Sequence, residues 1–321
     1  MKPKVFVTRH LPQAAMEELE EACQVEIWDY DRPPPYGLIQ EKLSDKEGLL
    51  SLLTDHIDAA LMNAAPKLKV ISQCAVGYDN IDIQAATKRG IAVGHTPGVL
   101  TDATADFAFT LLMASARRVG EAIDYVRSGK WETWGLTLLL GQDVHAATLG
   151  LIGLGRIGQA VAKRARGFSM RVLYYDLVRQ PEVEAELDLE YCELDDLLRT
   201  ADFVSLHVNL TGQTRGMMGS RAFSLMKPSA VLINTSRGAV IDSQALYEAL
   251  STGQIGYAAL DVTDPEPLPS DHPLLALPNL IVAPHIASAT VSSRTRMALM
   301  AVRNLVAGVQ GEPLPFPVQT T

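Results

Sequence analysis

The sequence predicts an α/β protein built from two doubly wound parallel-sheet domains, and three observations carry that expectation. Short, branched-rich apolar runs alternate with helical stretches from one end of the chain to the other. The alternation is interrupted once, by a long helical stretch that starts at Thr101, and then resumes. The chain has 321 residues, more than one core usually fills, since single cores rarely grow past ~250–300 residues.

In the first third, KVFVT (4–8), QVEIW (24–28), GLLSLL (48–53), LKVISQ (68–73) and IAVGHT (91–96) have the length and turn-residue borders of strands. PQAAMEELEEA and IDAALMNAA between them have helical spacing. TDATADFAFTLLMASARRVGEAIDYVRSG (101–129) is expected to be one long helix, with Thr101 and Asp102 as candidate N-caps and Gly129 closing it. It is too apolar for a one-sided surface helix, so part of it should be buried between domains or subunits. A second series comes next: TLGLIG (148–153), RVLYYD (171–176), DFVSLHV (202–208), AVLINTS (230–236), YAALDV (257–262) and LIVAPHI (280–286). Their continuous apolar character fits parallel strands covered on both faces. From Ala289 to about Val309 the chain is helical again, and this last helix is placed to pack back on the first domain, which is then discontinuous.

Net charge is −9, which argues against nucleic-acid backbone binding as the main role but not against a small anion in one pocket. Three widely spaced cysteines, Cys23, Cys74 and Cys192, form no C-x-x-C pair and point to reduced thiols. A proline in MKPKVFVTRHLPQ precedes any signal-peptide core, and no apolar run approaches the ~20 residues of a membrane helix. The expected location is the cytoplasm, with no membrane and no nucleic-acid partner.

LGLIGLGRIGQA (149–160) holds a G-x-G-x-x-G pattern between a strand and a helix. Gly153 permits the tight turn, Gly155 lets the backbone approach a pyrophosphate, and Gly158 allows close helix–strand packing. Arg156 and Ile157 open a helix whose N-terminus offers free N–H groups to phosphates. Asp176, eighteen residues beyond Gly158 at the end of RVLYYD, is placed to accept from ribose hydroxyls and to repel a 2′-phosphate. With Arg179 nearby to soften that repulsion, NAD(H) is favoured and NADP(H) is possible.

Three chemically apt residues stand beyond the last strands of the second series, where open α/β sheets bind ligands. Arg237 has the planar fork that matches a carboxylate. His285 can give a proton to a carbonyl oxygen and take it back. Glu266, between Pro265 and Pro267, can orient the imidazole and stabilise its protonated form. No G-x-S-x-G elbow, H-E-x-x-H pair or Tyr-x-x-x-Lys competes with them, and His272 in DHPLL is expected to be a loop residue. Hydride transfer with a histidine acid and no metal is the chemistry that remains.

These segments resemble the D-isomer-specific 2-hydroxyacid dehydrogenases. The resemblance is carried by GLGRIG with Asp176, NTSRG (234–238), LDVTDPEPLPSDHPLL (260–275), PHIASAT (284–290), AVGYDNID (75–82) and TPGVLTDATAD (96–106). Within the family, VGYDNID, WETW (131–134) and SRTR (293–296) are most similar to glyoxylate/hydroxypyruvate reductases. The resemblance implies a Rossmann nucleotide-binding domain (100–289) inserted into a flavodoxin-like substrate domain (1–99 with 290–321), and a homodimer. It implies Arg237, Glu266 and His285 as catalytic residues, and substrate binding at the Val76 and Gly77 amides with Leu53 walling the pocket. It implies nucleotide contacts at Thr104, Asn209, Thr235, Asp261 and Ala287, and Trp134 either reaching a partner subunit's pocket or packing in its own loop. Many such reductases prefer NADPH and lack an acid at position 176, and many relatives carry Pro where Asn209 stands. The implied reactions are reduction of glyoxylate to glycolate and of hydroxypyruvate to D-glycerate. Alternatives are another small D-2-hydroxy acid such as D-lactate, an anion such as phosphite, or an NAD(H)-sensing binding protein of corepressor type.

Overall fold

Branched and leucine-rich runs bounded by turn residues form the strands, and the strands gather into two compact units. One comprises Met1–Leu100 with the segment from Ala289 onward; the other is Thr101–Ser288. The structure, a computed structural model, describes residues 1–319.

The first unit holds five strands: β1 (Lys4–Val7), β2 (Gln24–Ile27), β3 (Gly48–Ser51), β4 (Val70–Gln73) and β5 (Ala92–Gly94). They pair in parallel in the order β2-β1-β3-β4-β5, the flavodoxin-like winding. PQAAMEELEEA and IDAALMNAA contribute the helices Gln13–Ala22 and Ala59–Asn63, the second capped by the Asp58 carboxylate on Leu61 N–H at 2.9 Å. The last helix, Val291–Gln310, starts at Thr290, whose hydroxyl accepts from Ser293 N–H. Its Ala298, Ala301, Val302 and Leu305 join Val5, Val7, Leu50 and Val70 in one core, so residues nearly 300 apart in sequence fill the same face. Gly94 is where this helix comes closest: a Cβ there would lie 2.7 Å from the Asn304 side chain.

The second unit holds seven parallel strands: β6 (Thr148–Ile152), β7 (Arg171–Tyr175), β8 (Leu189–Tyr191), β9 (Phe203–Leu206), β10 (Val231–Asn234), β11 (Tyr257–Leu260) and β12 (Leu280–Val282). Their order, β12-β11-β10-β9-β6-β7-β8, is a Rossmann winding with one added strand, and it reverses at β6. Alternate residues feed two cores, one per face. Leu149, Phe203, Val231 and Ile233 enter one; Ile152, Val204, Leu232 and Ala258 enter the other. This two-sided cover explains the continuous apolar runs. Two strands depart from that rule because they lie at sheet edges. β12 is three half-buried residues, so most of LIVAPHI is loop. β8 has no strand signal in the sequence: LEY is short and carries an exposed Glu190.

The expected single helix over 101–129 is two, Thr101–Ala116 and Val119–Arg127. Arg118 turns between them in the left-handed region (φ 51°) and its guanidinium grips Glu121. No glycine or proline stands at the turning residue itself; the nearest, Gly120, lies in the first turn of the second helix. The apolar content also divides. The first helix buries Ala105, Ala108, Leu111 and Leu112 against its own sheet, whereas the second buries nothing and exposes Val119, Ile123 and Val126. Among the described residues no helix is long and apolar enough to cross a membrane.

Leu305 is fully buried in the helix that completes the first unit. Leu305→Ala should cost about 2–5 kcal/mol, read as a lower denaturant midpoint. A midpoint unchanged from wild type would show that this helix does not hold the sheet.

Candidate active site

The glycine loop is built by close approaches. Gly153 has φ 95°, and a Cβ there would lie 2.6 Å from the His207 carbonyl oxygen. Gly158 sits in the first turn of the helix Arg156–Arg166, where a Cβ would meet the Gly153 oxygen at 2.3 Å. Gly155 precedes the helix, and a Cβ there would meet nothing within 4 Å. The backbone is thus sealed on one side and open on the other, beside first-turn N–H groups that have no intrahelical acceptor. Exposed Arg156 and half-buried Ile157 flank it. These residues fit a dinucleotide.

Asp176 stands just beyond β7. Its Oδ2 accepts from Leu154 N–H at 2.7 Å, which ties the carboxylate to the glycine loop. Gln159 and Gln180 both donate to the Leu154 carbonyl, at 3.1 and 3.2 Å. Arg179 is engaged elsewhere: it donates twice to Glu184, at 2.9 and 2.8 Å. Arg179 and Tyr174 hold the Glu184 carboxyl down at about 2.

Arg237, Glu266 and His285 lie beyond three adjacent strands, β10, β11 and β12. Arg237 is fixed by the NTSRG turn, in which buried Asn234 donates to the Arg237 carbonyl at 2.8 Å and accepts from Ser236. Gly238 then passes against the next loop; a Cβ there would lie 2.0 Å from Thr263 backbone atoms. His285 Nδ1 meets Glu266 Oε1 at 2.6 Å. Burial pushes the Glu266 carboxyl up, but the His285 hydrogen bond and charge, the Thr263 N–H and the Arg237 charge outweigh it, and the net direction is down. The structure therefore brings imidazole, carboxylate and guanidinium to one sheet end.

Two features of this set have no signal in the residue types. His285 lies in the left-handed region, φ 55°, uncommon for a non-glycine residue and found disproportionately at functional sites. Asp261 is the reason it stays there. The Asp261 carbonyl accepts from His285 N–H at 2.9 Å, and its buried carboxylate accepts from Ile286 and Ala287 N–H at 2.7 and 2.8 Å. Burial pushes the Asp261 carboxyl up, and these two N–H groups oppose the rise.

The remaining expected positions are spread over both units. Thr104 is buried in the helix Thr101–Ala116, and Asn209 is exposed beyond β9. Thr235 Oγ1 is buried with no hydrogen-bond partner, an orphan that a bound ligand would satisfy. Trp134 is 76% exposed, so it does not pack in its own loop. His272 caps the short turn Pro273–Ala276 by accepting from Leu274 N–H. In the first unit, half-buried Leu53 lies in the turn after β3, and Val76 and Gly77 lie in the loop after β4. Neither the Val76 nor the Gly77 N–H has a partner among the described residues.

A parallel sheet reversing at β6, with a glycine loop at that reversal and an acid after the next strand, defines a dinucleotide-binding protein. Comparison with known proteins takes this further. Residues 109–287 match the model of the D-isomer specific 2-hydroxyacid dehydrogenase NAD binding domain. A glyoxylate reductase of Korarchaeum cryptofilum is 54% identical over 316 residues, covering 98% of this chain and 95% of the relative. A crystal structure of a Thermus thermophilus protein is 47% identical with a TM-score of 0.93, covering 98% of this chain and 100% of that one. An NADPH-dependent glyoxylate/hydroxypyruvate reductase of Sinorhizobium meliloti, solved with NADP and malonate, is 31% identical with a TM-score of 0.88, covering 99% and 97%. The chain belongs to the D-isomer-specific 2-hydroxyacid dehydrogenase family. It is an NAD(P)-dependent oxidoreductase that reduces 2-oxo acids.

The Asp261 clamp has a direct test. Asp261→Asn places an amide N–H where one of the two backbone donors needs an acceptor, and should cost about 1–3 kcal/mol. Denaturant titration reads this, and equal stability would show that Asp261 does not hold the turn. The Glu266 shift gives a second. A depressed carboxyl contributes stability that is present above its ordinary value, 4.5, and is lost as pH falls through its lower folded value. Wild type should therefore lose stability relative to Glu266→Gln as pH is lowered below about 4.5, and a difference flat down to about pH 3 would contradict the pairing.

Proposed function

We propose that the protein reduces glyoxylate to glycolate and hydroxypyruvate to D-glycerate with NADH. The observation that carries the reaction is the His285–Glu266 pair at 2.6 Å, beside Arg237, on adjacent strand ends. The reduced nicotinamide, when bound, supplies the hydride. His285 donates a proton to the substrate's carbonyl oxygen from the imidazole nitrogen that Glu266 does not occupy. Glu266 fixes the ring by holding Nδ1 and stabilises the positive charge that the acid form carries. Arg237 anchors the substrate with its fork and polarises the carbonyl. The Val76 and Gly77 N–H groups take the substrate carboxylate, and Leu53 limits the size of the substituent on the carbonyl carbon.

The glycine loop (Gly153, Gly155, Arg156, Ile157 and Gly158) holds the dinucleotide's phosphates, and Asp176 its adenosine ribose. Thr104, Asn209, Thr235, Asp261 and Ala287 complete its contacts, with the orphaned Thr235 hydroxyl the best supported of them. NADH is preferred because Asp176 would face a 2′-phosphate directly, and Arg179, the cation that follows it in sequence, is spent on Glu184. We also propose a homodimer. Val119, Ile123 and Val126 share a helix face and are 41%, 44% and 53% exposed, with Trp131 and Trp134 exposed just beyond. A second copy is the occupant that would cover them and leave Trp134 against the partner.

Steady-state reduction of both oxo acids with NADH and with NADPH tests the proposal. Turnover of neither would overturn the substrate assignment, and turnover with NADPH alone would overturn the cofactor assignment. His285→Ala should lower kcat by a factor on the order of 10²–10⁴ while NADH still binds. Asp176→Ala should shift the NADH-to-NADPH preference toward NADPH by about tenfold. Light scattering of Ile123→Glu reads the dimer; an unchanged mass would place the interface elsewhere.

A further inference from the structure

We infer that His95 is a positioning residue for substrate: its imidazole aims the backbone amide that receives the substrate carboxylate. The inference rests on the assignment of that carboxylate to Val76 and Gly77, and extends it to a side chain that touches neither reactant.

His95 lies immediately after β5, and its backbone is pinned on both sides. Its N–H donates to the Phe316 carbonyl at 3.0 Å, and its own carbonyl accepts from buried Asn304 at 3.0 Å. The ring meets Tyr78 edge-on, with centroids 5.5 Å apart and planes at 85°. Held this way, Nδ1 lies 2.9 Å from the Val76 carbonyl oxygen. A carbonyl only accepts, so Nδ1 carries the proton and donates.

A trans peptide is planar, with its C=O and N–H pointing in opposite directions. The peptides of the 75–77 segment are trans. Fixing the Val76 carbonyl therefore fixes the direction of the Gly77 N–H. The same logic applies one unit earlier: the Ala75 carbonyl accepts from Thr96 N–H at 2.9 Å, which sets the Val76 N–H. The two consecutive residues His95 and Thr96 thus hold two consecutive carbonyls. The two N–H groups left over point away from them and have no partner among the described residues. Gln73 reinforces the loop from the other side, reaching the Gly77 carbonyl at 3.4 Å and Asn80 at 2.9 Å. Of these holding contacts, the one to Val76 is made by a titratable side chain, and it can be deleted without altering the backbone of the loop.

Two variants separate this role from simple packing. His95→Phe keeps a ring against Tyr78 and removes the donor. His95→Asn loses the ring but places an amide N–H where Nδ1 was. For His95→Phe, KM for glyoxylate and the dissociation constant of oxalate, measured calorimetrically with the NADH complex, should both rise about five- to tenfold. Its kcat and NADH affinity should stay within about twofold, because a contact that is equal in ground and transition states acts on KM. His95→Asn should return both carboxylate constants toward wild type. Unchanged carboxylate binding in His95→Phe, a loss in His95→Asn as large as in His95→Phe, or a parallel fall of kcat and NADH affinity would each overturn the inference while leaving the proposed reaction intact. A wild type that neither reduces glyoxylate nor binds oxalate would overturn the reaction, and the role of His95 with it.

Discussion

Asp261 sits at the carboxyl end of β11 with its side chain 1% exposed, in a place where an ionised carboxylate without partners would cost several kcal/mol. It is kept there by two backbone donors, Ile286 and Ala287, one to each oxygen. That arrangement dictates the rest of the sheet end. The two donors directly follow His285, whose backbone turns in the left-handed region. The left-handed backbone of His285 then directs its ring to Glu266, and Glu266 in turn lies within the electrostatic reach of Arg237. Remove the buried carboxylate and the turn loses two of the backbone hydrogen bonds that hold it, leaving the imidazole to its contact with Glu266.

The sequence discloses the parts of this arrangement but not its linkage. The continuous runs of β9, β10 and β11 are legible because both faces of a central strand must be apolar, and Arg237, Glu266 and His285 are visible as reactive types at the ends of such runs. β8 escapes because this edge strand buries only Leu189 of its three residues, and the charge in LEY hides a backbone pairing that needs only N–H and C=O groups. The break at Arg118 escapes for a related reason: a left-handed residue other than glycine is stabilised by its surroundings, here the Glu121 contact, which no local pattern announces. Asp261 is legible as a polar residue near the site, but a carboxylate accepting from residues 25 and 26 positions later is a tertiary fact.

Charge is arranged locally and not globally. The chain carries a net −9, yet it leaves uncharged backbone donors over at the start of the helix Arg156–Arg166 and at Val76 and Gly77. Arg179, three residues beyond Asp176, is paired with Glu184 by two hydrogen bonds and so carries no free charge of its own.

Both units leave backbone donors over by the same stratagem, which comes from peptide geometry. Every peptide has one donor and one acceptor, and a buried acceptor has to be satisfied. In the glycine loop, Gln159 and Gln180 satisfy the Leu154 carbonyl and the helix start leaves its first N–H groups over. In the loop after β4, Thr96 and His95 satisfy the Ala75 and Val76 carbonyls, and the Val76 and Gly77 N–H groups are left over. Donors made in this way are rigid, uncharged and close to the chain, so an anion bound to them would sit at a fixed depth without the reach or titration of a lysine. A small 2-oxo acid offers little besides its carboxylate to be recognised by. A site that fixes that carboxylate by backbone amides leaves the carbonyl carbon at one position relative to the amides, and the precision of that position depends on whatever holds the carbonyls behind them.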